Sequence, residues 1–178
     1  MAKKVLPPQT LLYPVPVVLV SCGELGGKKN VITLAWVGVV NSEPPMVGIG
    51  VRPSRYSHEL ISKTREFVVN LPRADQVKAV EVCGSTSGRT SDKFAATGLT
   101  AEPATKVRAP LIAECPVNLE CQVQQIVNLP SHDLFLAEIV AVHVAEEVLD
   151  GNGQVDPLRA RLLAYCNGQY WQSATLLE

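Results

Sequence analysis

The stretch "CPVNLECQVQQIVNL" (115–129) constrains this chain more than any other, because Val117, Leu119, Cys121 and Val123 alternate with Asn118, Glu120, Gln122 and Gln124. A period of two puts each set on its own face of an extended strand, apolar inward and polar toward water, as in a half-buried antiparallel sheet. A second long β-rich run, "HDLFLAEIVAVHVAEEVL" (132–149), follows, and "PSHD" between the two suits a hairpin turn. Any fold of the chain has to contain this pair.

Upstream, "VPVVLVSCGE" (15–24), "NVITLAWVGVVN" (30–41) and "PMVGIGV" (45–51) read as strands, parted by the turn formers "LGGKKN" and "SEPP". Then come a short helix in "SHELISKTREF", a brief strand in "EFVVNLP" (66–72), and two further helices through "ADQVKAVEVCG" and "SDKFAATG". In the last of these, Ser91 is the expected N-cap and Gly98 the expected residue just past the end. "DGNG" (150–153) breaks the chain before "LLAYCNGQYW" closes it. About six strands with helices inserted between them, and no regular βαβ alternation, predict an antiparallel barrel or sandwich. With 178 residues, 47% of them hydrophobic, the chain is long enough for one well-buried core, so residues 1–178 are expected to form a single domain.

Charge narrows the function. The net charge is −1 with bases and acids interspersed, which leaves no basic stripe for nucleic acid and no polybasic run for a membrane surface. The opening "MAKKVLPPQT" carries two lysines without an apolar signal core, and no run approaches membrane-spanning length, so a cytoplasmic location is expected. Partners should be small molecules or proteins. Cys22, Cys83, Cys115, Cys121 and Cys166 include no C-x-x-C pair and read as reduced, mostly buried thiols. His58, His132 and His143 have no spacing for a metal triad, so no metal site is expected, and His143 reads as an ordinary sheet residue. "GELGGKK" and "GIGVRP" both miss the spacing of phosphate and dinucleotide loops.

One junction stands out. In "VRPSRYSHEL" (51–60), Arg52, Ser54, Arg55 and Ser57 surround a proline where an apolar strand gives way to a helix. Open backbone N–H groups, hydroxyls and guanidinium groups gathered at one helix start suit an anion, and Pro53 stiffens the loop. Composition alone leaves open a solvated loop with a helix cap. Asn30 and Trp36 also share strand parity, which would put them on one face roughly 20 Å apart.

The blocks "NVITLAWVGVVNSEPPMVGIGVRPSRYSHELI", "REFVVNLP", "CGSTSGRTSDKFAATGLT", "AECPVNLECQV" and "LPSHDLFLAEIVAVHVAEEVL" together resemble the flavin reductase-like family of FMN-binding split barrels, most closely its flavoredoxin branch. The resemblance runs from about residue 14 to 171. It implies a mainly β fold with inserted helices, a Greek-key antiparallel split β-barrel, and FMN as cofactor. It further implies that Asn30, Thr33, Ala35 and Trp36 line the flavin, and that Arg52, Ser54, Arg55 and Ser57 hold its phosphate. By the same resemblance, Lys93 reaches the cofactor from a helix start, His132 lies in a turn near the flavin and Tyr165 is an aromatic beside it, with Ser87 and Arg89 as further candidates.

If FMN binds, the redox chemistry belongs to the flavin and no side-chain nucleophile or general base is required, so no catalytic side chain is assigned. The expected function is an oxidoreductase that passes reducing equivalents from NAD(P)H or a reduced protein through FMN to an acceptor. The alternative is a non-enzymatic FMN-binding electron carrier or flavin-storage protein. The resemblance also implies a homodimer.

Overall fold

The structure, a computed structural model, describes residues 1–172. Its first predicted strand is divided into β1 (Val15–Pro16) and β2 (Val18–Gly23), and its second into β3 (Lys29–Leu34) and β4 (Val37–Ser42). Next come β5 (Pro45–Val51), α1 (Tyr56–Thr64), β6 (Glu66–Leu71), α2 (Val77–Ser85) and α3 (Lys93–Thr97). Two short strands, β7 (Ala101–Glu102) and β8 (Leu111–Ile112), precede the long hairpin of β9 (Val117–Asn128) and β10 (Asp133–Val144). The described chain ends with α4 (Pro157–Ala160), β11 (Leu163–Cys166) and β12 (Gln169–Gln172). Among these residues no helix is long and apolar enough to cross a membrane.

Seven strands form one antiparallel sheet in the order β3-β2-β6-β9-β10-β5-β4. Thus β3 and β4 lie at opposite edges, although only Ala35 and Trp36 separate them. In a flat sheet those edges would be about 29 Å apart, at roughly 4.8 Å per strand. Three Cα steps span at most about 11 Å. The sheet therefore rolls until its edges approach, and the result is a split barrel of mainly β structure, as the sequence predicts. The crossing is pinned where Gly50 N donates to Trp36 O at 2.9 Å.

Inside the barrel Val18, Val20, Cys22, Ile49, Val51, Phe67, Val69, Cys121 and Phe135 pack as the main core. The other face of β2 is buried too, because Val17 and Leu19 join Val80, Cys83 and Phe94 of α2 and α3. Burial on both faces is why "VPVVLV" reads as a continuous apolar run rather than an alternation. Cys22, Cys83, Cys115 and Cys121 are buried free thiols and Cys166 is half-buried.

Two local expectations are corrected. The N-cap of α3 is Asp92, not Ser91, since its carboxylate accepts from the Phe94 and Ala95 amides at 3.0 and 3.2 Å, while Gly98 takes the left-handed conformation that ends the helix. The polar face of β9 is not solvated along its first half. Asn118 and Glu120 are buried there, because the segment before β8 folds across them. Glu120, fully buried, accepts from the Thr105 amide and hydroxyl and from the amides of Lys106 and Val107, and pairs with His143 Nε2 at 2.5 Å. His143 is therefore more than a sheet residue: it supplies one of the five partners of that carboxylate.

Candidate functional site

β3, the α1 start, the α2 end and the α3 start meet around Asn30. Its Nδ2 donates to Ser57 Oγ at 2.9 Å, and both residues are buried. Lys93, the first residue of α3, is only 3% exposed, and its Nζ donates to Val31 O at 2.9 Å and Cys83 O at 2.7 Å. A cavity of ≈ 70 Å³ opens between them, lined also by Ser54, Arg55 and Gly88.

The electrostatics of this cavity are one-sided. An ammonium carries three donors, and only two of those on Lys93 are engaged. Among the described residues no carboxylate pairs with it, so a buried positive charge stands without a counter-ion. Burial pulls its pKa below the ordinary 10.5, and Arg55 adds to the pull. Arg55, the N-cap of α1, makes no side-chain cap bond, so no side chain of its own closes the first amides of that helix. The neighbouring thiols supply no negative charge, since burial pushes Cys22 up to about 12 and Cys83 up to about 11. What the arrangement can do is accept an anion. An anion bound there would relieve the uncompensated charge that the fold carries without it.

Gly88 decides whether the cavity exists. A Cβ at this position would overlap the Asn30 carboxamide, so only a bare α-carbon lets the loop lie against it. Gly88→Ala is expected to push Asn30 off Ser57 and weaken binding of a phosphate-sized anion in the cavity about tenfold, the loss of roughly one hydrogen bond to a charged group. Titration with inorganic phosphate checks this, with the far-UV circular dichroism unchanged. Gly88 is not among the residues expected from the sequence, although a glycine inside the hydroxyl-rich "STSGRTS" is a signal that could find it.

The structure distributes the residues expected at a site over five places. Asn30, Ser54, Arg55, Ser57 and Lys93 surround the cavity. Thr33 lies farther along β3, where its hydroxyl donates to Val80 O at 2.6 Å and ties the strand to α2. Ala35 is half-buried in the crossing. Trp36 faces a second cleft of ≈ 350 Å³ with Gly50, His132 and Leu134, its ring centroid 4.6 Å from that of His132. The shared parity of Asn30 and Trp36 therefore does not place them on one strand face, because the sheet edge ends at Leu34 and the chain turns at Ala35. Arg52 acts on this second cleft rather than the cavity: burial first, and then the Arg52 charge, hold His132 below its ordinary 6.5. The imidazole is therefore held toward its neutral form. Tyr165 lies in neither place. It packs edge-on to Tyr170 at 5.6 Å against the second core, in the sheet of β1, β11 and β12.

One polar pair joins the two regions. His58 Nε2 lies 2.7 Å from Asp133 Oδ2, and Asn128 Nδ2 donates to Asp133 Oδ1 at 3.0 Å. It fastens α1, which carries Ser57, to the start of β10, which follows His132 directly.

Residues 10–174 match the family described as Flavin reductase like domain. Among solved structures, the chain is similar to flavoredoxin of Desulfovibrio vulgaris (Miyazaki F), with a TM-score of 0.93 and 29% identity over 99% of this chain and 96% of that one. Flavoredoxin from Methanosarcina acetivorans superposes with a TM-score of 0.91 at 33% identity, covering 99% and 95%. A relative from Streptomyces pristinaespiralis, NADH:riboflavin 5'-phosphate oxidoreductase, is 28% identical over 131 residues, 74% of this chain and 72% of that protein.

Proposed function

Since the chain belongs to the flavin reductase like domain family, we propose that it is an FMN-binding oxidoreductase whose cavity at Lys93 holds the flavin phosphate. The single observation that carries the reading is the buried Lys93 ammonium, hydrogen-bonded only to carbonyls and facing a cavity of phosphate size. The fit is chemical as well as spatial: Lys93 and Arg55 bring charge, Ser54 and Ser57 hydroxyls, and Asn30 an amide. Gly88 leaves the room they share.

When bound, the flavin supplies hydride and single-electron chemistry that side chains lack. The protein's part is to hold and shield it. Lys93 and Ser57 fix the charged end. Trp36, with one face open, and a neutral His132 give the second cleft an apolar, weakly polar-tipped wall for planar rings. The expected donor is NAD(P)H or a reduced protein, and the name of the Streptomyces relative supports the nicotinamide. A homodimer is part of the proposal, supported by the exposed apolar side chains of Val39, Val40 and Val142 on β4 and β10. Cytoplasmic residence is proposed with it.

The test is a visible absorption spectrum of the purified protein, followed by anaerobic titration with NADH and NADPH. A flavin spectrum with steady nicotinamide oxidation supports the enzyme, and bound FMN without oxidation supports an electron carrier. A colourless protein that takes up no added FMN refutes both. Ser57→Ala is expected to raise the FMN dissociation constant about tenfold without changing the fold, since one hydroxyl to a charged oxygen is removed. Equilibrium dialysis measures it.

A further inference from the structure

One wall of the second cleft is not a strand but a turn. Leu129, Ser131 and His132 of the β9–β10 connection line it, beside Leu134 at the start of β10. Across the turn itself the backbone makes one bond, from Leu129 N to His132 O at 3.1 Å. A connection held so lightly keeps one shape only if side chains fix it.

Asp133, the residue after His132, does the fixing. Its carboxylate is anchored twice, by Asn128 Nδ2 at 3.0 Å across the neck of the hairpin and by His58 Nε2 at 2.7 Å from α1. The Asn128 bond, and then the His58 bond, hold this carboxyl below its ordinary 3.8, so it is ionised and accepts from both. His58 therefore carries a proton on Nε2. The two side chains are only 16% and 11% exposed, and the imidazole stands edge-on to the fully buried Phe135 ring at 5.2 Å, so the bond is sheltered and its donor is held in place. Of the two anchors, only His58 reaches another element, and that element is α1, where the preceding residue, Ser57, lines the Lys93 cavity.

We propose that His58 is a positioning residue for the ring end of the site: through Asp133 it holds the turn that sets His132 against Trp36, while lining neither cavity itself. The ligand it serves rests on the flavin reading above, in which the second cleft receives the planar rings.

The test compares three substitutions in a Trp171→Phe background, which leaves Trp36 the only tryptophan. His58→Phe keeps a ring against Phe135 and removes the bond, and the smaller His58→Leu takes its place if the phenylalanine variant does not fold. His58→Gln still offers an Nε2–H to Asp133. Calorimetry with FMN reads both ends of the site, and with inorganic phosphate the Lys93 cavity alone. Loss of the bond is expected to weaken FMN about fivefold, to leave inorganic phosphate within about twofold, and to be reversed by glutamine. In flavin-free protein, acrylamide quenching of Trp36 rises when the bond is lost, because the released turn takes His132 off the indole, and falls back with glutamine. FMN binding unchanged by loss of the bond, a weakening that glutamine does not reverse, or an equal weakening of phosphate overturns the proposal. Should the wild type take up no FMN, the flavin reading fails, and Trp36 quenching alone decides the positioning role: a rise that glutamine reverses supports it, and any other result overturns it.

Discussion

With the flavin phosphate in the Lys93 cavity, as proposed, Lys93→Met is expected to weaken FMN binding about a hundredfold while leaving riboflavin within about twofold of wild type, because the lost interactions would be made only to the phosphate. Methionine keeps the length and apolar stem of the lysine, so the space between β3, α2 and α3 stays filled. What disappears is the charge, together with the two bonds to Val31 O and Cys83 O. Leaving those carbonyls unpaired costs about 1–3 kcal/mol of stability each, offset in part because a buried charge goes with them. The comparison of the two flavins isolates the charged end, and fluorescence quenching on both provides it. Equal losses for FMN and riboflavin would assign Lys93 to the fold and empty the phosphate reading of its main support.

The second large effect is on stability. Glu120→Ala is expected to cost about 3–5 kcal/mol in urea-induced unfolding, because it strands four donors of the Thr105–Val107 segment and the His143 imidazole against a buried wall. Burial by itself would raise the Glu120 carboxyl, but the Thr105 amide, His143, the Thr105 hydroxyl and the Lys106 amide outweigh it and hold the group down at about 2. The sign follows. A carboxyl depressed in the folded state contributes stability above its ordinary 4.5, and that contribution is lost as pH falls from there through about 2. Unfolding midpoints measured between pH 6 and 3 should therefore decline in the wild type and decline less in Glu120→Gln. Parallel declines would refute the assignment.

Much of the barrel is legible in the sequence because β9 alternates apolar and polar residues from Val117 to Gln124, and β10 stands out as a long β-rich run after a turn signal. The turn chemistry around β5 is equally plain. Two features resist reading for physical reasons. A strand that leaves one sheet edge and enters the other keeps its apolar periodicity through the bend, so nothing local marks Ala35 as the turning point. The polar face of β9 looks solvated because its partners are elsewhere in the chain, not in water: Glu120 is held by Thr105–Val107, and Asn118 by Asn70 and Ile112. The anion site divides in the same way. Ser54, Arg55 and Ser57 announce themselves by their crowding at a helix start. Lys93, alone at the head of a five-residue helix, resembles any solvated lysine, and only likeness to a family singled it out before its burial was visible.

The crossing at Ala35–Trp36 has a consequence for how the molecule meets its own kind. The outermost strands of a rolled sheet each present unpaired backbone groups to whatever extended chain comes by, and such rims invite self-addition. Here a tether two residues long keeps the rims facing one another and narrows the gap through which a foreign strand could enter. Proteolytic nicking at that tether would let the rims part, turning a guarded seam into two templates for aggregation.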